Sequence, residues 1–144
     1  DEWFHTMTRF AMSKVQYKDS STVSPVFSAA KKYQALNLQQ WGCQFCDSLS
    51  VSDDDMIIVK HRVSAFYGTS LEVILRANNI EHLIICGVAT NNAVELTARE
   101  AHDRDYKVTI ASDATETLNN YEQEASLNFL RKIATVVTCN DICR

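Results

Sequence analysis

The sequence predicts an α/β fold in which a mostly parallel sheet lies between two layers of helices. Two observations carry this prediction. From residue 55 onwards, short apolar runs alternate with segments whose apolar residues recur at the spacing of a helix. The resulting order of strand, helix, strand, helix, strand, helix and strand is typical of βαβ units, whose right-handed crossovers make the strands parallel. The length of 144 residues fits a single domain, residues 1–144.

The strands are predicted from apolar runs that end at polar turns. A polar loop through Ser21 follows the first strand, and residues 34–55 are expected to be irregular. The runs "DMIIVKHR" and "HLIICGV" are continuously apolar at their centres, which predicts strands that are buried on both faces. The predicted strands cover residues 3–12, 55–62, 82–88, 106–114 and 135–142.

Four helices are predicted from apolar periodicity and from capping residues at their starts. They cover residues 25–33, 69–79, 91–105 and 120–134. The predicted capping residues are Ser24 with Pro25, Thr69 with Glu72, and Asn120 with Gln123. The apolar faces are expected at Val73, Ile74 and Ala77 in the second helix, and at Val94, Ala98 and Ala101 in the third.

Composition and charge exclude several classes of function. Apolar residues make up 46% of the chain and the net charge is −4, which indicates a folded protein without a basic surface for nucleic acid or anionic membranes. The apolar runs are too short to cross a bilayer. The first residues, "DEWFHTMTRF", lack the features of a signal peptide, so we expect a cytoplasmic protein.

The five cysteines allow two interpretations. An odd count without a signal peptide favours reduced thiols over a disulfide framework. Cys43 and Cys46 form a CxxC pair, and Cys139 and Cys143 form a CxxxC pair. Four thiolates bind zinc where two such pairs meet, whereas the other interpretation treats these residues as small, half-buried apolar side chains. No cofactor is expected from the sequence.

Function in a parallel α/β sheet is expected at the carboxyl ends of the strands. That rule selects residues 60–62, 86–92 and 112–115. Lys60 ends a buried strand, where lost hydration lowers the pKa of an ammonium group and suits it to proton transfer. The alternative is a lysine that extends to solvent.

The stretch "GVATNNAV" at the second of these strand ends has the form of a strand-to-helix turn. Gly87 permits close approach of the backbone, and Thr90 or Asn91 is a candidate cap for the helix that follows. Free N–H groups and the positive end of the helix dipole would stabilise an oxyanion or a thiolate here. The alternative is an ordinary turn without a chemical role.

Several elements in order resemble the isochorismatase-like family, also called the cysteine hydrolase family. They are a lysine followed by SAF, the start GTSL of a helix, GVAT, the pattern V-x-x-T-A-x-x-A, and a strand ending in DA. The resemblance covers residues 55–138. It implies a Rossmann-like three-layer α/β/α fold, hydrolase activity on a small molecule and a homo-oligomer. We expect no metal, because the metal-site pattern of one family branch is missing.

The resemblance also assigns individual residues. Lys60 matches the family's catalytic lysine, and the Val88–Ala89 bond matches a cis peptide that shapes an oxyanion hole. The family's cysteine nucleophile falls at Ala93. The expected oxyanion and substrate pocket comprises Val88, Ala89, Thr90, Asn92 and Phe66.

Two departures from the family pattern limit the prediction of a reaction. Ala93 cannot attack a carbonyl, and Cys86 lies inside the preceding strand, where its geometry does not suit a substitute nucleophile. The family's first strand, which ends in the catalytic aspartate, has no counterpart, so the chain is expected to begin near the second strand. The histidines of the nicotinamidase metal site are also missing from "RFAMSKVQYKD".

Three hypotheses follow for the function. The first is a hydrolase acting on a small amide or a vinyl ether with the nucleophilic cysteine replaced by Ala93. The second is a pseudoenzyme that serves as a ligand-binding or assembly module. The third, weaker hypothesis is a redox or zinc protein built on the paired cysteines.

Overall fold

The computed structural model describes residues 11–17, 20–45, 47–49 and 51–143, with the side chains of residues 11–15 excepted. The predicted strand over residues 3–12 therefore lies mostly outside the described residues. The chain divides into two compact units, Asp1–Arg62 with Tyr67–Thr69 and Val63–Phe66 with Ser70–Arg144. The expectation of one domain over residues 1–144 stays a prediction.

The first unit contains a two-stranded parallel sheet and one helix. Strand β1 (Ala11–Val15) pairs with β2 (Met56–Lys60), in a register that sets Ala11 beside Met56. Helix α1 (Pro25–Lys32) follows Ser24 as its N-cap residue, as predicted, although the Ser24 side chain makes no capping hydrogen bond. Between α1 and β2 the only described regular element is a 3₁₀ turn at Trp41–Cys43, as expected for an irregular stretch.

Two predictions about these strands were wrong. Strand β1 continues to Val15, past the predicted end at residue 12, because residues 13–15 pair with β2. Strand β2 is not buried on both faces. Ile58 is 4% exposed, whereas Ile57 is 49% exposed, because side chains alternate along a strand and only one face of β2 is covered.

The second unit contains a three-stranded parallel sheet in the order β3-β4-β5. The strands are β3 (His82–Val88), β4 (Lys107–Glu116) and β5 (Thr135–Val137). The bounds of β3 are those predicted. Its prediction as a fully buried strand was wrong, since Val88 is 75% exposed while the middle of β4 is buried.

The core of the second unit lies between β4 and helices α3 (Glu95–Asp103) and α4 (Asn120–Leu130). The predicted apolar face of α3 is confirmed: Val94, Ala98 and Ala101 are all buried, the last two completely. The helix is shorter than predicted and is preceded by a π-helical turn, Thr90–Val94. Ile110 of β4 and Leu130 of α4 are the largest fully buried apolar side chains among the described residues.

Helix α2 (Leu71–Ala77) turns a different face to the core than the sequence predicted. Leu71 and Leu75, one turn apart, are buried, while Val73 is 72% exposed and Ala77 is also exposed. The helix follows Ser70 as N-cap, so the predicted capping box of Thr69 and Glu72 does not form. The Glu72 carboxylate instead accepts a bond from Arg104 at 2.8 Å.

The chain end also differs from its prediction as a long strand. Strand β5 stops at Val137, and residues Cys139–Ile142 form a short helix, α5. Thr138 and Asp141 make a reciprocal capping box at its start, a local signal that begins a helix directly after the strand residues "TVV". Among the described residues no helix has both the length and the apolar character that spanning a membrane requires.

Candidate functional site

The turn after β3 has an unusual backbone. Gly87 has a φ of 114°, and the next peptide bond, Val88–Ala89, is cis. A cis bond at this place was predicted from the family resemblance and is confirmed. The chain then enters the π-helical turn Thr90–Val94, which continues directly into α3.

The Ala89 carbonyl organises the first residues of this helix. It accepts the N–H groups of Asn92 at 3.1 Å and Val94 at 3.2 Å. The prediction that Thr90 or Asn91 caps the helix was wrong, because the helix already begins at Thr90 and no side chain caps it. Thr90 is fully buried, and its hydroxyl oxygen has no hydrogen-bond partner within the described part of the chain.

Helix α4 supports this turn through polar contacts that no sequence pattern predicts. The Ser126 hydroxyl lies 3.3 Å from the Thr90 carbonyl oxygen and 2.5 Å from Oε2 of Glu95. Arg99 donates to the other Glu95 oxygen at 2.8 Å. Ser126 occupies an ordinary helical position in "EQEASLNFL", so its role depends entirely on the tertiary packing.

A second set of bonds fixes the outer side of the turn. The side-chain amide nitrogen of Asn91 donates to the Glu122 carboxylate at 2.7 Å. The side-chain oxygen of Asn91 accepts the Thr117 hydroxyl at 2.7 Å. These bonds attach the turn to the first turn of α4 and to the segment between β4 and α4. The turn is therefore held from two sides.

The predicted pocket residues of this unit have different surroundings. Ala93 and Asn92 are half-buried on the turn, whereas Val88 is largely exposed. Phe66 is buried, with its ring 5.9 Å from that of Tyr106 and 4.9 Å from the Arg104 guanidinium carbon. The turn brings Val88 to Ala93 together, and the assignment of all these residues to a substrate pocket stays a prediction.

Cys86 lies on the exposed side of β3. Desolvation raises the pKa of its thiol above the ordinary value. A raised pKa decreases the thiolate fraction, and the thiolate is the nucleophilic form of cysteine. This agrees with the interpretation of Cys86 as a poor substitute for the missing nucleophile.

Lys60 belongs to the first unit, and it is only 3% exposed. The alternative of a lysine extended to solvent is therefore wrong. Burial lowers the pKa of the Lys60 ammonium, as expected when a charge loses hydration. Its carbonyl accepts the Gln16 N–H at 2.9 Å, which holds the backbone at the strand end.

The third predicted strand end anchors neighbouring elements. The Ser112 hydroxyl donates to the Val137 carbonyl at 3.1 Å, and Asp113 accepts the Cys139 N–H at 2.8 Å. This backbone bond lowers the pKa of the Asp113 carboxyl. Thr115 accepts the Gln123 amide at 3.3 Å. These polar groups attach α4 and α5 to the sheet.

The cysteines that the structure describes form no disulfide bond with one another, namely Cys43, Cys86, Cys139 and Cys143. Cys46 lies outside the described residues, so the four-thiolate zinc hypothesis stays untested. Within residues 11–17, 20–45, 47–49 and 51–143, no cluster of three or more His, Cys, Asp or Glu side chains is arranged to hold a metal ion.

Comparison with known proteins gives the family. The sequence pattern of the isochorismatase domain matches residues 5–141. The chain belongs to the isochorismatase family. The predicted relationship and α/β fold are thereby confirmed, while the absence of the family's first strand stays a prediction.

Three relatives of this isochorismatase-family chain illustrate the similarity. The uncharacterized isochorismatase family protein YwoC of Bacillus subtilis is 39% identical over 87 residues, 60% of this chain and 46% of YwoC. The ureidoacrylate amidohydrolase RutB of Agrobacterium fabrum is 33% identical over 112 residues, 76% of this chain and 49% of RutB. A solved isochorismatase family protein from Burkholderia thailandensis is 29% identical with a TM-score of 0.79, covering 97% of this chain and 76% of that one.

The chain spans about half the length of the two curated relatives. The match to the isochorismatase family therefore identifies the fold and the class of protein. The reaction, its substrate and any partner of the whole protein are matters for proposal.

Proposed function

We propose that this isochorismatase-family chain belongs to a hydrolase that acts on a small amide or vinyl-ether substrate. The observation that carries the proposal is the turn after β3, which passes directly into the π-helical turn Thr90–Val94 and then into α3. Backbone N–H groups at a helix start, together with the dipole, stabilise negative charge that develops on a substrate oxygen. The amidohydrolase name of the Agrobacterium relative supports an amide as the substrate.

The proposed reaction has no covalent step on the turn. Ala93 carries only a methyl group, so an amide would be attacked by water. The water oxygen bonds to the carbonyl carbon, the C–N bond breaks, and the amine leaves with a proton. The family resemblance assigns the proton transfer to Lys60, and burial lowers the pKa of its ammonium group.

A second candidate function is favoured by the same alanine. A family member without a nucleophile could serve as a pseudoenzyme that binds a small ligand or takes part in an assembly. It would retain the turn and its affinity for a carbonyl or carboxylate group, and it would release the ligand unchanged. A homo-oligomer is expected in either case, and light scattering on the purified protein measures its mass.

The deciding experiment compares turnover with binding. The purified chain is incubated with ureidoacrylate and with isochorismate, and product formation and equilibrium binding are measured on the same samples. Turnover that is lost in Lys60→Met supports the hydrolase. Saturable binding without turnover supports the binding module, and the absence of both contradicts both functions.

Replacement of Ala93 tests whether the turn after β3 is an oxyanion site that lacks only its nucleophile. If only the nucleophile is missing, Ala93→Cys should gain amidase activity toward ureidoacrylate. Ala114→Cys is the matched control, because it places a new thiol on an exposed position of β4 in the same unit. Equal activity of the two variants would count against an oxyanion site at this turn.

A further inference from the structure

The first unit contains a cavity of about 320 Å³ at the C-terminal end of α1. It is lined by Tyr17, Ala30, Lys31, Gln34, Ala35 and Asn37. The volume is at the lower end of the range for pockets that bind small molecules. All of these residues lie within one unit, so the cavity does not depend on the turn after β3 or on the function proposed for it.

Tyr17 lines this cavity and is held in place by its neighbours. The side chain is 4% exposed, its ring packs edge-on against Phe27 at 4.9 Å, and its N–H donates to Leu36 at 3.1 Å. In the part of the chain that the structure describes, the Tyr17 hydroxyl makes no hydrogen bond. The hydroxyl can therefore donate a hydrogen bond to a ligand that reaches it.

The other polar groups around the cavity are mainly hydrogen-bond donors. Lys31 contributes an ammonium group. Asn37 uses its side-chain oxygen to accept the Gln39 N–H at 3.2 Å, which leaves its amide nitrogen as a donor. None of the lining residues is acidic. A cavity with these groups suits a ligand that accepts hydrogen bonds and carries negative charge.

Two carbonyl groups at the end of α1 already accept hydrogen bonds within the chain. The Ala30 carbonyl accepts the Ala35 N–H at 2.8 Å, and the Lys31 carbonyl accepts the Gln34 N–H at 3.1 Å. These bonds are made because the chain reverses at Gln34 and Leu36, whose φ angles are 51° and 56°. Part of the negative partial charge at this helix end is therefore satisfied within the turn.

Positive charge reaches Tyr17 from a second direction. Burial raises the pKa of the Tyr17 phenol, and the Arg62 guanidinium opposes this effect electrostatically. The Arg62 guanidinium carbon lies 5.5 Å from the centre of the Phe27 ring, against which Tyr17 packs.

We propose that this cavity is a binding site for a small carboxylate with a compact apolar body. The carboxylate accepts hydrogen bonds from the Tyr17 hydroxyl, the Lys31 ammonium and the Asn37 amide. The methyl groups of Ala30 and Ala35 contact the apolar part of the ligand. Benzoate has both features and serves as a probe of this class.

The test is an NMR titration of the ¹⁵N-labelled chain with sodium benzoate. Saturable shifts are expected at the amides of Ala30, Lys31 and Ala35. Benzyl alcohol, which has the same ring without the charge, should bind much more weakly. Lys31→Gln and Tyr17→Phe should each weaken benzoate binding by about tenfold, the effect expected from losing one charge-assisted hydrogen bond.

Two neighbouring residues supply matched controls. Lys32 and Tyr33 are exposed at the same helix end but do not line the cavity, and the Lys32 ammonium lies 5.3 Å from the centre of the Tyr33 ring. Lys32→Gln and Tyr33→Phe should leave benzoate binding unchanged. The side chain of Lys31 is exposed, so Lys31→Gln should fold even if Tyr17→Phe does not.

Three results would overturn the proposal. They are no saturable shift with benzoate, equal binding of benzyl alcohol, and equal weakening by Lys31→Gln and Lys32→Gln. The outcome does not depend on hydrolase activity, so it is distinguishable from a failure of the proposed function.

Discussion

At the scale of single residues, Lys60 illustrates how burial changes the chemistry of a side chain. Its carbon chain continues the covered face of β2 that Ile58 begins, and the residue is almost fully enclosed. The same burial that makes the ammonium a proton-transfer candidate opposes its charged form. A residue proposed for catalysis should therefore leave a signature in the stability of the protein.

Stability should depend on pH through Lys60. The pKa of its ammonium is lowered from 10.5 in the folded chain, so between the folded and unfolded pKa values the unfolded state binds more protons. The free energy of unfolding of the natural protein, relative to Lys60→Met, should consequently rise with pH in that window. Each unit by which the two pKa values differ corresponds to about 1.4 kcal/mol in the free energy of unfolding.

Urea unfolding measures this effect at a series of pH values from neutral to about pH 10, below the unfolded pKa. Lys32→Met is the control, since Lys32 is exposed in the same unit. A stability difference between the natural protein and Lys60→Met that stays constant over this range, or falls, would show that burial does not disfavour the charge.

At the scale of elements, the start of α4 gives a direct comparison between a sequence pattern and the packed structure. The sequence pattern favours Asn120 as the cap, whereas the structure places Asn119 there, with its side-chain oxygen accepting the Glu122 N–H at 2.9 Å. Asn119→Ala should therefore destabilise the protein by about 1 kcal/mol.

Asn120→Ala is the matched control for this prediction. Asn120 is equally exposed and is the first residue of the helix, where alanine is a good helix former. Thermal or urea unfolding of both variants checks the prediction. A loss for Asn120→Ala that equals or exceeds the loss for Asn119→Ala would favour the cap predicted from sequence.

The one-residue error at the start of α4 illustrates which parts of the fold could be predicted from the sequence and which could not. The order of the helices and strands from α1 to β5 and the bounds of β3 follow from local apolar runs and were predicted correctly. Caps at Thr69 and Asn120 were wrong by one residue, because packing decides the residue at which a helix begins. The buried faces of β2 and α2 were wrong for a related reason, since apolar residues occur on more than one face and tertiary contacts select among them.

In the candidate site, too, local patterns were predictable from the sequence and tertiary contacts were not. The cis Val88–Ala89 bond was predicted through a motif whose letters recur in the family. The contact between Ser126 and Glu95 was not predicted, because the two residues lie on different helices and are 31 positions apart in the chain. A bond of that kind has no local pattern in the sequence.

At the scale of the whole molecule, the two units differ in how their strands are supported. In the first unit β2 pairs with β1 in a two-stranded sheet. In the second unit β4 lies between β3 and β5, and Ile110 is paired with a residue on each side. Two-stranded sheets are marginal in isolation, whereas a central strand opens only when the sheet around it does.

Hydrogen exchange should therefore distinguish the units. We expect the slowest-exchanging amides at residues 108–111 of β4, where the side chains of Val108, Thr109, Ile110 and Ala111 are all buried. The amides of β2 should exchange faster, even at Ile58, which is only 4% exposed itself. Ile58 and Ile110 form a matched pair, because both are buried isoleucines in parallel strands and they differ in the pairing around them. Equally slow exchange at the two residues would contradict this prediction. It would mean that the free energy of opening is the same in both units.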